Sequence, residues 1–84
     1  MTHDEIREAV LRALGDVAPE VDPATLAPDV DLRDQLDIDS MDFLNFVIGI
    51  HEELNVDIPE ADYPGLQTLD DFVSYLAEKT RPDP

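Results

Sequence analysis

A chain of 84 residues, 43% hydrophobic and free of cysteine, reads as one small domain over residues 1–84, with no disulfide framework, thiol nucleophile or cysteine metal site. Five Lys+Arg against 21 Asp+Glu give a net charge of −16, which disfavours nucleic acid and anionic membrane surfaces. No apolar run approaches the roughly 20 residues that span a bilayer, and Met1-Thr2-His3-Asp4-Glu5 lacks the basic and apolar regions of a secretory signal. The expectation is a cytoplasmic monomer.

The first helix is expected over about 3–17. Thr2 and Glu5 have the spacing of a capping box, and Ile6, Val10, Ala13, Leu14 and Val17 recur at helical intervals before Pro19. Residues 18–39 hold Pro19, Pro23 and Pro28 among acids, so they read as a long crossing loop, pinned to the core by Val21, Leu26, Val30, Leu32 and Leu36. A second helix, about 40–54, follows Asp39 as N-cap. At 100° per residue, Phe43, Phe46, Val47, Ile50 and Leu54 share its core face. Met41, Leu44 and Ile48 form a second apolar strip bordered by Asn45, His51 and Glu52; it is either covered by the loop or open to a partner.

Ile58 to Gly65 fits a short third helix, about 60–64, ended by Pro64-Gly65. The fourth, about 69–80, starts at Thr68 with Asp71 three residues on, and buries Leu69, Phe72, Val73 and Leu76. Residues 81–84 read as a frayed tail. No alternating strand pattern occurs. The fold class is therefore all-α: a small four-helix bundle of three longer helices and one short one.

Asp39-Ser40-Met41 is the stretch with chemical promise. Ser40 falls in the first turn of a helix, where backbone N–H groups lack intrahelical partners and the dipole favours a phosphate. It is a poor catalytic serine. A nucleophilic serine needs a base, and His51, eleven residues along the same helix, is about 16 Å away at 1.5 Å per residue. The acids do not form a calcium loop: starting at Asp37 or at Asp29, the sixth position is Asp42 or Asp34 rather than glycine. No metal site is coded. Residues 29–62 set Arg33 alone against eleven acids, a net −10, suited either to a solvated face or to steering toward basic patches.

The Asp39-Ser40-Met41 run, with Leu36 before it, Val56-Asp57-Ile58-Pro59 after the helix and Thr68-Leu69-Asp70-Asp71-Phe72 opening the last one, resembles the acyl carrier proteins over most of the chain. The resemblance implies a non-enzymatic carrier. Ser40 would be the covalent attachment point of 4′-phosphopantetheine, Asp39 a contact of the phosphopantetheinyl transferase, and acyl intermediates would ride as thioesters on the arm. Met41, Leu44, Asn45, Ile48 and Glu52 would form the surface met by acyl-loading and acyl-using enzymes through their basic docking patches. The sequence departs from carriers of primary fatty-acid synthesis at Met41, Asn45 and His51, and at Phe43, where a small residue is common. That leans toward a stand-alone carrier of a specialised lipid, polyketide or related pathway. An aminoacyl, peptidyl or D-alanyl carrier loaded by an adenylating enzyme shares the motif, and an unmodified acidic helical adaptor is a more distant alternative.

Overall fold

The computed structural model describes residues 2–22 and 24–80. Each of its three long helices starts on a reciprocal cap. For α1 (His3–Val17), the Glu5 N–H donates to the Thr2 hydroxyl at 3.2 Å and the Thr2 N–H to the Glu5 carboxylate at 3.0 Å. Asp39 and Asp42 make the same exchange at the start of α3 (Ser40–Leu54), and Thr68 and Asp71 at α4 (Leu69–Lys79). Each satisfies two N–H groups that the helix itself leaves unpaired.

Between α1 and α3 the chain forms a four-residue helix, α2 (Leu32–Gln35), capped by Asp31. The periodicity of the sequence does not announce it, because one turn carries no pattern. It is held from outside instead. Leu32 is fully buried, its N–H donates to the Gln67 carbonyl at 2.8 Å, and the Gln35 amide donates to the Ala27 and Val30 carbonyls at 2.7 and 2.9 Å. Leu26 and Leu32 anchor the loop in the core, while Val21 and Leu36 are only partly buried. Val30 does not pin the loop by its side chain, which is 41% exposed; its backbone carbonyl, held by the Gln35 amide, is the point of attachment there.

The architecture is all-helical, with no strand among the described residues. Helix α1 packs on both α3 and α4. Its contact with α3 is close because Gly49 lacks a side chain: a Cβ there would stand 3.2 Å from that of Ala13. Ile6, Val10 and Leu14 from α1 meet Phe46 and Ile50 from α3 and Phe72 and Leu76 from α4 in one continuous core. Phe46 and Phe72 lie edge-on at 4.9 Å, and Phe43 touches both at 6.3 and 6.1 Å, separations at which aromatic edges and faces attract. Residues 81–84, read from sequence as a tail, lie outside the described residues. No described helix is long and apolar enough to cross a membrane.

The short third element runs Glu60–Gly65 as a 3-10 helix, passing through Pro64 instead of stopping before it. Side chains hold it. Tyr63 sets its ring edge-on to Phe43 at 5.8 Å, and the Tyr75 hydroxyl of α4 donates to the Asp62 carboxylate at 2.6 Å. The Tyr75 phenol is pushed up to about 12, first by burial and then by the adjacent Asp62 carboxylate. Because the folded value lies above the ordinary value of about 10, this pair supports the fold fully below pH ~10 and its support is lost as pH rises through ~12. In a Tyr63→Phe variant, which leaves Tyr75 as the remaining tyrosine, an ultraviolet titration is expected to reach its midpoint near 12. Adding Asp62→Asn is expected to bring the midpoint part of the way back, and an unmoved midpoint would refute the contribution of the carboxylate.

Candidate functional site

The start of α3 is built by Asp39. Its extended backbone closes the preceding loop, its carboxylate accepts the Asp42 N–H at 2.8 Å and its carbonyl accepts the Phe43 N–H at 2.9 Å. The Asp42 carboxylate answers with a longer bond, 3.5 Å, from the Asp39 N–H. Asp42 is therefore part of the site's scaffold, and the Asp-x-x-Asp spacing that signals it was present in the sequence beside the Thr68–Asp71 example.

Ser40 comes next, exposed, its hydroxyl without a hydrogen-bond partner among the described residues. The N–H groups of Asp42 and Phe43 are engaged, which leaves those of Ser40 and Met41 facing outward at the positive end of the helix. That arrangement fits a phosphodiester. The Ser40 oxygen is reachable from solvent, the two N–H groups favour an anion, and the Asp39 carboxylate is already turned back onto its own helix. Nothing in this arrangement activates the hydroxyl. His51, the nearest sequence candidate for a base, is bound elsewhere: its Nδ1 lies 3.1 Å from the Val56 carbonyl and 3.2 Å from the Asp57 carboxylate, at the far end of α3. It is exposed as the sequence suggested, but it ties the helix end to the following loop.

Along one flank of α3, Met41, Leu44 and Ile48 are exposed by 65%, 43% and 45%. The loop does not cover them. Asn45 and Glu52 are exposed beside them. On the other flank a groove of about 390 Å³ opens between α2 and the 3-10 segment, lined by Leu32, Arg33, Phe43, Tyr63 and Gln67 among others. The Arg33 guanidinium sits 4.6 Å from the centre of the Phe43 ring, a cation–π contact that sequence reading missed because it joins a loop residue to a core ring.

Comparison with known proteins agrees with this geometry. Residues 4–76 match the family model described as the phosphopantetheine attachment site. The chain is 31% identical over 77 residues to an acyl carrier protein of Bdellovibrio bacteriovorus, covering 92% of each. It is 28% identical over 81 residues to the meromycolate extension acyl carrier protein of Mycolicibacterium smegmatis, covering 93% of this chain and 82% of that one. A solution structure from Anaplasma phagocytophilum assigned to the acyl carriers superposes with a TM-score of 0.82 at 23% identity over 99% of this chain and 97% of that one, which speaks for the fold alone. The family match over residues 4–76 defines a prosthetic-group carrier, which presents chemistry without performing it. The chain belongs to the acyl carrier protein family, whose members are not enzymes and hold covalently attached 4′-phosphopantetheine.

Removing the cap tests how far the site depends on it. Asp39→Ala is expected to cost about 0.5–2 kcal/mol of stability in urea titration, with faster amide exchange concentrated at Met41, Asp42 and Phe43. Uniform exchange along α3 would show that the cap does not hold the site locally.

Proposed function

We propose that Ser40 is the residue that receives the phosphopantetheine arm, and that the chain carries acyl intermediates as thioesters for a specialised lipid, polyketide or related pathway in the cytoplasm. The exposed, unbonded hydroxyl in the first turn of a capped helix carries this reading. In the attachment step the Ser40 oxygen attacks the phosphorus of coenzyme A, the pyrophosphate P–O bond breaks, the nucleoside bisphosphate leaves, and the hydroxyl proton passes to a base of the phosphopantetheinyl transferase. The bound arm supplies a terminal thiol for the cargo. Asp39 holds the helix start in the form the transferase meets. Asp37, Asp39 and Asp42 turn the new phosphate toward solvent by like-charge repulsion. Met41, Leu44, Asn45, Ile48 and Glu52 offer partner enzymes an apolar strip with an acidic edge. The departures at Met41, Phe43, Asn45 and His51 support a dedicated pathway over primary fatty-acid synthesis.

Incubation with coenzyme A and a broad-specificity transferase is expected to add the mass of one phosphopantetheine, with none added to Ser40→Ala. No gain with several competent transferases would overturn the assignment. Leu44→Ser is expected to leave the fold within about 0.5 kcal/mol of the parent, as exposed substitutions do, while raising the KM of the transferase. An unchanged KM would remove Leu44 from the docking surface.

A further inference from the structure

Met41 is the most exposed large apolar side chain among the described residues, at 65% against 41%, 43% and 45% for Val30, Leu44 and Ile48. It is the second residue of α3. Helical side chains lean toward the N-terminus and lie over the preceding turn. At the second position there is no preceding turn, so the thioether stands over the open end of the helix, beside Ser40. The capped register that exposes the serine therefore exposes this sulfur as well.

The sulfur is chemically distinct from the rest of the strip. Leu44 and Ile48 are hydrocarbon and carry no group that a mild oxidant alters, whereas a thioether is converted to a sulfoxide. The chain has no cysteine to take the oxidant first, and its other methionine, Met1, lies outside the described residues. Charge narrows the choice of oxidant. At −16 the chain repels anionic species, but neutral hydrogen peroxide approaches freely.

We propose that Met41 is an oxidation site through which hydrogen peroxide controls the docking of partner enzymes beside Ser40. The inference rests on the docking role proposed for the strip and adds its regulation. A lone pair of the Met41 sulfur attacks one oxygen of the peroxide as the O–O bond breaks. The departing hydroxide takes the proton of the transferred oxygen and leaves as water; the sulfur loses two electrons and the peroxide gains them. The product replaces a flexible apolar contact with a polar sulfoxide, which a partner has to desolvate in order to bury. The buried face of α3, supplied by Phe43, Phe46, Val47 and Ile50, is untouched, so docking weakens while the helix stays in place. Methionine sulfoxide reductases reverse the change.

The full chain, without its arm, is treated with hydrogen peroxide, desalted and mapped by peptide mass spectrometry, with N-acetylmethionine amide as the free comparison. Met41 is expected to gain one oxygen about as fast as that free thioether. The KM of the transferase is then expected to rise roughly tenfold, the scale of one lost apolar contact. Helical circular dichroism is expected to stay unchanged, and the KM to return after treatment with the two epimer-specific reductases. Met41→Leu is expected to show the same KM before and after peroxide. A Met41 that resists peroxide overturns the inference, as does a KM rise that Met41→Leu shares, that comes with lost helicity or that the reductases do not reverse. Full oxidation with an unmoved KM overturns it alone if Leu44→Ser still raises the KM, and overturns the docking reading with it if Leu44→Ser does not. An untreated chain that no transferase loads overturns the Ser40 reading and this inference together.

Discussion

The acceptance of the Asp42 N–H by the Asp39 carboxylate decides the residue at which α3 begins, and the orientation of every group at the site follows from that register. At 100° per residue, Ser40 lies between the core stripe led by Phe43 and Val47 and the exposed strip of Met41, Leu44 and Ile48. The serine is thereby held at the boundary between protein and solvent, with the apolar strip on one side and the Arg33 groove on the other. Moving the start by one residue would rotate this set by a quarter turn or more and set the cap against the core stripe. The cap and the stripe therefore specify the same register independently, which is the agreement between local and tertiary preference expected of a well-specified fold.

Such a site asks little of the fold behind it. Neither a shaped cavity nor a perturbed base is required, only a stiff helix start and a packed face to fix it. That face is supplied by α1, which holds α3 through Ile6, Val10, Ala13 and Leu14 and comes close at the Ala13–Gly49 contact. The half-exposed Arg12–Glu53 pair at 3.1 Å joins the same two helices, but an exposed pair of this kind contributes about 0.2–1 kcal/mol at most. Packing, and not charge, fixes α3.

The parts of this structure legible in the sequence were those governed by neighbours in the chain. Thr2–Glu5, Thr68–Asp71 and the Asp39 cap announce helix starts through local hydrogen bonds, and the spacing of Phe43, Phe46, Val47 and Ile50 marks the buried face of α3. The exposure of Met41, Leu44 and Ile48 was legible as one of two outcomes, and the loop settled it by folding toward α4 through the Leu32–Gln67 and Asp70–Pro28 backbone bonds. What stayed hidden depends on partners distant in sequence. Helix α2 is one turn stabilised by contacts outside itself; Val30 is held to Gln35 by its carbonyl while its side chain is exposed; Arg33 finds Phe43 only once the loop has crossed the bundle. His51 resembled a free surface residue because its partners, Val56 and Asp57, lie beyond a left-handed turn at Asn55, where φ is 55°.

The acid surplus has a physical use that follows from the exposed strip. Three large apolar side chains along one helix face invite self-association, since burying them against a second copy would remove the same surface from water. Two copies meeting there would also bring together two chains of −16, with Asp42 and Glu52 close to the contact. Repulsion between like charges opposes that encounter, while a basic patch on a different protein relieves it. In the docking role proposed for it, the same strip stays open to enzymes and closed to itself. On that proposal, selectivity comes from the surrounding charge and adhesion from the apolar residues, and the serine between them needs only to remain accessible.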